Sequence, residues 1–185
     1  DIQRLEAAMQ TYAAVTRSAG VWSRDGRRLA FVAAIDGPSS DLYLYSTVTR
    51  EITRLTDGPT EAASPIWSPD ERYILHGAAT DLNYNRSGAG YAMTGIWAAR
   101  PDGSGAHLVY PLSYRGFDRV LGWISRTVFL VDSWEFPLGY TNLRTVDIES
   151  GEVKTIWAAG YAERAFDPNT ETVLFMRCDE DSDAG

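Results

Sequence analysis

Ile66-Trp67-Ser68-Pro69-Asp70-Glu71-Arg72-Tyr73-Ile74-Leu75 decides the fold, because a near copy stands 45 residues earlier: Val21-Trp22-Ser23-Arg24-Asp25-Gly26-Arg27-Arg28-Leu29-Ala30-Phe31. Both close an apolar stretch with a large ring, reverse through a polar Ser-x-Asp cluster and return in a second apolar stretch. That is hairpin chemistry. Pro69 presets φ at the first turn position, and Asp25-Gly26 supplies a residue that tolerates positive φ. Two weaker copies follow. Gly122-Trp123-Ile124-Ser125-Arg126-Thr127-Val128-Phe129-Leu130 comes 56 residues after the second, and Ala165-Phe166-Asp167-Pro168-Asn169-Thr170-Glu171-Thr172-Val173-Leu174-Phe175 comes 43 residues after that.

Each of the first three copies continues into two more strand-like runs. These are Asp41-Leu42-Tyr43-Leu44-Tyr45 and Glu51-Ile52-Thr53-Arg54-Leu55-Thr56, then Gly95-Ile96-Trp97-Ala98-Ala99 and His107-Leu108-Val109-Tyr110. In the third copy they are Thr141-Asn142-Leu143-Arg144-Thr145-Val146-Asp147 and Glu152-Val153-Lys154-Thr155-Ile156-Trp157. Alternation with period two and turn residues between runs mark antiparallel strands. Four strands in a unit of about 45 residues make a propeller blade.

The expectation is therefore an all-β chain, a single partial β-propeller domain over residues 1–185. Its blade units run approximately over 19–57, 63–112, 119–158 and 162–185, the last incomplete. Trp22, Trp67, Trp123 and Phe166 recur once per unit and are expected to form the core between blades. Residues 2–17 read either as a helix or as the outer strand of a preceding blade; the strand reading is preferred because it puts a fourth strand before the first Trp repeat.

Composition agrees with a folded, turn-rich chain: 44% hydrophobic, 23% charged, with six Trp, ten Tyr, six Phe, sixteen Gly and eight Pro. The net charge of -8 makes the averaged field repel phosphate backbones and anionic lipid headgroups, so nucleic acid is not an expected partner. No apolar run approaches the roughly 18 residues of a membrane span. The single cysteine, Cys178, has no intrachain partner and no metal-site spacing.

At the Trp-Ser-Pro-Asp string, the Leu-Tyr-Leu strand and the strand ending Leu-Thr, the sequence resembles the WD-repeat-like blades of the TolB family. The turn Pro101-Asp102-Gly103-Ser104-Gly105 is similar to the hairpin that family places between its third and fourth strands. The resemblance covers residues 19 to 176 and extends to the propeller domains of prolyl-oligopeptidase-like peptidases. It implies a periplasmic or extracellular protein that binds partners. It leaves function open, since these propellers serve several ends. Three readings follow: a non-catalytic binding scaffold, the substrate-gating propeller of a serine peptidase whose catalytic domain lies elsewhere, or an extracytoplasmic sensor domain. The chain ends two strands into its fourth unit and is expected to be a portion of a longer polypeptide.

No Gly-x-Ser-x-Gly elbow occurs, and no catalytic residue is expected. His76 and His107 sit in predicted strands without a companion at metal-ligand spacing. Asp132 with Glu135, and Asp36 with Asp41, are read as solvated or turn-capping acids rather than a glycosidase pair. The acidic run Asp179, Glu180, Asp181 and Asp183 is read as a solvated tail, and the sequon at Asn85 carries little meaning. Neither metal nor cofactor is implied.

The expected binding surface lies where the loops between second and third strands and the blade-to-blade connections emerge on one face. Residues 80–94 carry Tyr84, Arg86 and Tyr91. Residues 113–119 carry Tyr114 and Arg115, and residues 133–140 carry Trp134, Phe136 and Tyr140. Aromatics and Arg on a rim are the types that dominate recognition of protein or peptide, with glycan as a further class.

Overall fold

The computed structural model describes residues 20–36, 40–58, 61–79, 95–111, 116–135, 140–159, 164–167, 170 and 172–175. Among these residues the structure is entirely strands, turns and bends. It divides into two compact units, Asp1–Pro111 and Leu112–Gly185.

The first unit holds two four-stranded antiparallel sheets. One contains β1 (Val21–Trp22), β2 (Arg28–Ala33), β3 (Asp41–Ser46) and β4 (Ile52–Arg54), in that spatial order. The other contains β5 (Glu61–Trp67), β6 (Ile74–Ala79), β7 (Gly95–Ala99) and β8 (His107–Pro111). The second unit holds a third sheet of the same plan, β9 (Gly116–Trp123), β10 (Val128–Glu135), β11 (Tyr140–Asp147) and β12 (Val153–Ala159), and a hairpin of β13 (Arg164–Asp167) and β14 (Thr172–Phe175). Three up-and-down sheets of four strands are the blades of a partial β-propeller.

The Ser-x-Asp motif works as a turn lock. In blade 1 the Ser23 hydroxyl donates to Asp25 Oδ1 at 2.7 Å and accepts from the Arg28 N–H at 2.9 Å, while the Arg27 N–H donates to Asp25 at 3.0 Å. Blade 2 repeats this with Ser68, Asp70, Tyr73 and Arg72 at 2.9, 3.0 and 3.2 Å. One residue differs. Where blade 1 has Gly26 at φ 69°, blade 2 has Glu71 at φ 58°, a left-handed conformation that costs a side chain-bearing residue about 1 kcal/mol or more.

Glu71 meets that cost with contacts a glycine could not make. Its carboxylate accepts from the Arg24 N–H of blade 1 at 2.5 Å and pairs with the Arg28 guanidinium. At the other end of the same junction, Glu61 accepts from the Ser40 N–H at 2.6 Å and from the Ser40 hydroxyl. Between these clamps lies an apolar core of Ala30, Val32, Leu42, Leu44 and Leu55 from blade 1 against Ala62, Trp67, Ile74 and Ala99 from blade 2. Trp67 is the wedge: its Nε1 donates to the Val21 carbonyl at 3.0 Å, and the Arg28 guanidinium lies 4.8 Å from its ring centroid.

Trp123, in the second unit, is also buried and packs edge-on against Phe129 at 5.6 Å. Trp22 departs from the expectation, since 51% of its surface is exposed. The physical reason is the direction of the wedge. Trp67 packs on the blade before its own, so the surface that would cover Trp22 is that of a unit preceding blade 1, and no such unit lies among the described residues. Phe166 lies on β13.

Asp41, weighed as an acid, is 1% exposed and structural: Arg54 Nη2 donates to it at 2.6 Å and the Thr56 hydroxyl at 3.0 Å. Thr56 Oγ1 in turn accepts from the Leu42 N–H at 3.0 Å. The strand ending Leu-Thr is thus tied back to the strand beginning Asp-Leu.

Two predictions follow from the junction. Trp67→Ala should destabilise the chain in urea unfolding by about 3–5 kcal/mol, the usual cost of removing a buried Trp, while Trp22→Ala should cost about 1 kcal/mol or less. Glu71→Ala should be less stable than Glu71→Gly by about 1 kcal/mol, because both lose the clamp and only glycine relieves the left-handed backbone. Equal stability of the two Glu71 variants would refute the strain assignment.

Candidate functional site

The sequence places every expected rim residue on a loop, and the structure puts two of them, Trp134 and Tyr140, on strands. β10 and β11 remain paired out to Glu135 opposite Tyr140, with Trp134 opposite Thr141. On the other side β9 pairs Phe117 with Trp134 and Gly116 with Glu135. Residues 116–119 and 133–135 are therefore strand rather than connection, and only residues 136–139 separate β10 from β11. The reason is that aromatic residues are good strand formers as well as good binding residues. In the ladder at the end of blade 3, Trp134 is level with Phe117 and Thr141, and Tyr140 is level with Glu135 one step further along. Tyr84, Arg86, Tyr91, Tyr114, Arg115 and Phe136 lie outside the described residues, as do residues 2–17, the sequon at Asn85 and the acidic run.

In blade 2, at the end where the β5–β6 and β7–β8 turns emerge, lies an open cleft of about 470 Å³ lined by Arg72, Tyr73, Arg100, Pro101 and Asp102. The Arg72 and Arg100 guanidinium carbons stand 5.7 and 6.0 Å from the Tyr73 ring centroid. Arg72 Nε is already paired with Asp70 at 2.7 Å. Sequence reasoning passed over this cleft because its residues come from two turns whose composition is explained by turn chemistry alone.

The aspartates whose pKa the fold lowers sit at the turns between paired strands of the three blades. Asp25 is held below the ordinary carboxylate range first by the Ser23 hydroxyl, and Asp102 by Ser104. At Asp70 burial pushes upward, but hydrogen bonds from Arg72 and Ser68 prevail and lower it. At Asp147 the Ser150 N–H is the main cause of the lowering; that N–H and the Glu149 N–H lie 3.0 and 2.8 Å from Oδ1, and the Thr127 hydroxyl lies 3.2 Å from Oδ2. Among the described residues no three of His, Cys, Asp and Glu gather as a metal-binding group.

Sheets of four antiparallel strands, repeated with a ring at the end of the inner strand, define the chain as an array of β-propeller blades. No family model matches it. Over 156 residues, 83% of the chain, it is 30% identical to the uncharacterized peptidase YuxL of Bacillus subtilis, and it spans 20% of that protein. Among solved structures, an oligogalacturonate lyase in complex with manganese superposes with a TM-score of 0.64 at 12% identity, over 82% of this chain and 44% of that one. A putative TolB from Agrobacterium tumefaciens gives 0.55 at 23% identity, over 77% and 50%. A prolyl endopeptidase gives 0.58 at 15% identity, over 79% and 22%. The fold is thus that of TolB-like propellers and of the propeller domains of prolyl-oligopeptidase-like peptidases, and the chain spans half or less of each of these proteins.

The depressed aspartates set an acid limit. A group whose folded pKa lies below its ordinary 3.8 stabilises the fold above that pH, and the contribution is lost as pH falls through the folded value. Asp147→Ala should therefore lower the melting temperature at pH 7, each lost hydrogen bond costing about 1 kcal/mol, and should flatten the acid limb of the stability profile below about pH 4. An unaltered acid limb would count against the assignment.

Proposed function

We propose that this chain is a non-catalytic propeller module that captures a protein or peptide at the face carrying the β10–β11 hairpin, with Trp134 and Tyr140 among the contacts. The observation that carries this reading is the pairing of that hairpin to its last residues. It sets both aromatics on hydrogen-bonded strands, and anchors held on regular elements lose less freedom on binding than anchors on loops. Use of the perturbed aspartates as turn locks supports a role without acid–base chemistry. A glycan is the other ligand class that flat aromatic anchors suit, and an envelope or extracellular setting accords with the likeness to TolB.

A second reading has a specific observation in its favour. The relative at 30% identity bears the name of a peptidase, and this chain spans one fifth of it. In that reading the blades gate peptide access to a serine-hydrolase domain carried outside these residues. Both readings give the chain itself no nucleophile.

The test uses peptides selected from a displayed random library against the wild-type chain. Combined Trp134→Ala and Tyr140→Ala substitution should weaken capture of the selected peptides about tenfold or more with an unchanged far-UV spectrum. Unchanged capture rejects the rim assignment. Covalent labelling of the 185-residue chain by a fluorophosphonate would overturn the non-catalytic assignment.

A further inference from the structure

His76 occupies a position that the other blades give to hydrocarbon. Register fixes the equivalence: Trp67 pairs with Ile74 as Trp22 pairs with Leu29 and Trp123 with Phe129, so His76 corresponds to Phe31 and Val131. Those two have no exposed surface, and His76 has 4%. Across the ladder from His76, β5 carries its irregularity. Ala63 pairs with Gly77 and Ile66 with Leu75, so Ser64, at φ 51°, and Pro65, which has no N–H, both stand opposite the histidine.

The ring is only half satisfied. Nδ1 lies 3.1 Å from the Gly77 carbonyl, which can only accept, so Nδ1 carries the proton and Nε2 presents a lone pair. Nε2 is buried and has no hydrogen-bond partner among the described residues. Asp41 is the charged group whose field reaches the ring, and Nε2 makes no hydrogen bond to it. Asp41 of β3 is taken by Arg54 of β4 and by Thr56, and Glu61 at the head of β5 is taken by Ser40. From β7 the residue paired with His76 is the uncharged Trp97. Arg28 and Glu71 pair with each other at the turn end of the junction.

We propose that the junction between blades 1 and 2 is an acid-labile seam with His76 as its proton sensor: a proton arriving at Nε2 places a charge in the junction with no acceptor for its hydrogen bond, and the blades part to hydrate it. Burial holds His76 below its ordinary 6.5, outweighing the Gly77 carbonyl and the field of Asp41, which act the other way. A histidine with a lowered folded pKa is neutral in the closed junction. Stability is then full above pH 6.5 and declines as pH falls from 6.5 toward the folded value, because only the open form takes up the proton.

Hydrogen exchange of the chain at pH 7.5 and pH 5.0, corrected for intrinsic rates, tests the seam. At pH 5.0 the amides bonded across the junction, Ala62 to the Ser40 carbonyl and Ser40 to Glu61, should lose protection by up to about 30-fold, the ceiling set by 1.5 pH units below 6.5, with no such change in β10 and β11. His76→Phe, which gives blade 2 the residue blade 1 has at this position, should abolish the difference. Equal protection at both pH values in the wild type, or a loss that persists in His76→Phe, overturns the proposal. Should that variant fail to fold, titration of the wild-type His76 ring protons by NMR decides the matter: a midpoint below 6.5 supports the seam, and one at or above 6.5 refutes it.

Discussion

The first unit depends on one apolar wedge, the Trp67 ring driven between two sheets that cannot bury their faces alone. A four-stranded sheet has two faces, and a blade supplies cover for neither of its own, so stability comes from stacking. Fully burying side chains such as Leu42 or Ile74 contributes about 1.5–3 kcal/mol each, whereas a part-exposed ion pair such as Arg28–Glu71 contributes about 0–1 kcal/mol. The wedge supplies the energy. What the apolar core lacks is direction, and that comes from polar groups: the Trp67 Nε1 bond to the Val21 carbonyl in the middle, Glu71 at the turn end and Glu61 at the loop end.

Blades 2 and 3 share more than strand number. In both, the inner strand carries one extra residue opposite the same level of the second strand, around Ser64 and Pro65 in one and at Leu121 in the other. In both, the outer strand carries one extra residue at the same level, Val109 and Ile156. Bulges bend and twist a strand, so their recurrence gives the two sheets matched distortions. The residues at these sites have little in common; the shared device is the register. The inner turn is less constant. Trp123 pairs with a residue one position closer than Trp67 does, and the shorter turn replaces the Ser-x-Asp lock with Ser125 capping Thr127 and Val128.

The blade repeat was legible because its turn chemistry is local: Ser23 with Asp25 and Ser68 with Asp70 make their bonds within five residues, and such bonds leave a fixed spacing in the sequence. The burial of a repeat residue is not local. Trp22 and Trp67 sit in equivalent positions of equivalent strands, yet one is half exposed and the other buried, because Trp67 packs on blade 1 and no described residues form a blade on the corresponding side of Trp22. The far end of blade 3 was hard to read for another reason. Phe117, Trp134 and Tyr140 satisfy the composition of a binding loop and of a strand equally, and only hydrogen-bond register separates the two. The bulges left no compositional trace; they show only in the register of β5 and β9 against their neighbours.

In a repeat protein the skeleton of each unit answers for the fold, so residues that depart from the repeat carry whatever is particular to the chain. Two such departures meet at one junction and act in opposite senses. Glu71 replaces the glycine of the preceding blade and accepts a left-handed backbone in exchange for two contacts across the seam, which tightens it. His76 replaces a hydrocarbon side chain and leaves a buried nitrogen without a partner, which weakens it. A junction optimised only for stability would place a hydrogen-bond donor near position 76, since an unpaired buried nitrogen costs about 1–3 kcal/mol. The combination is what a seam requires if it is to hold one geometry while closed and still have a defined place to open.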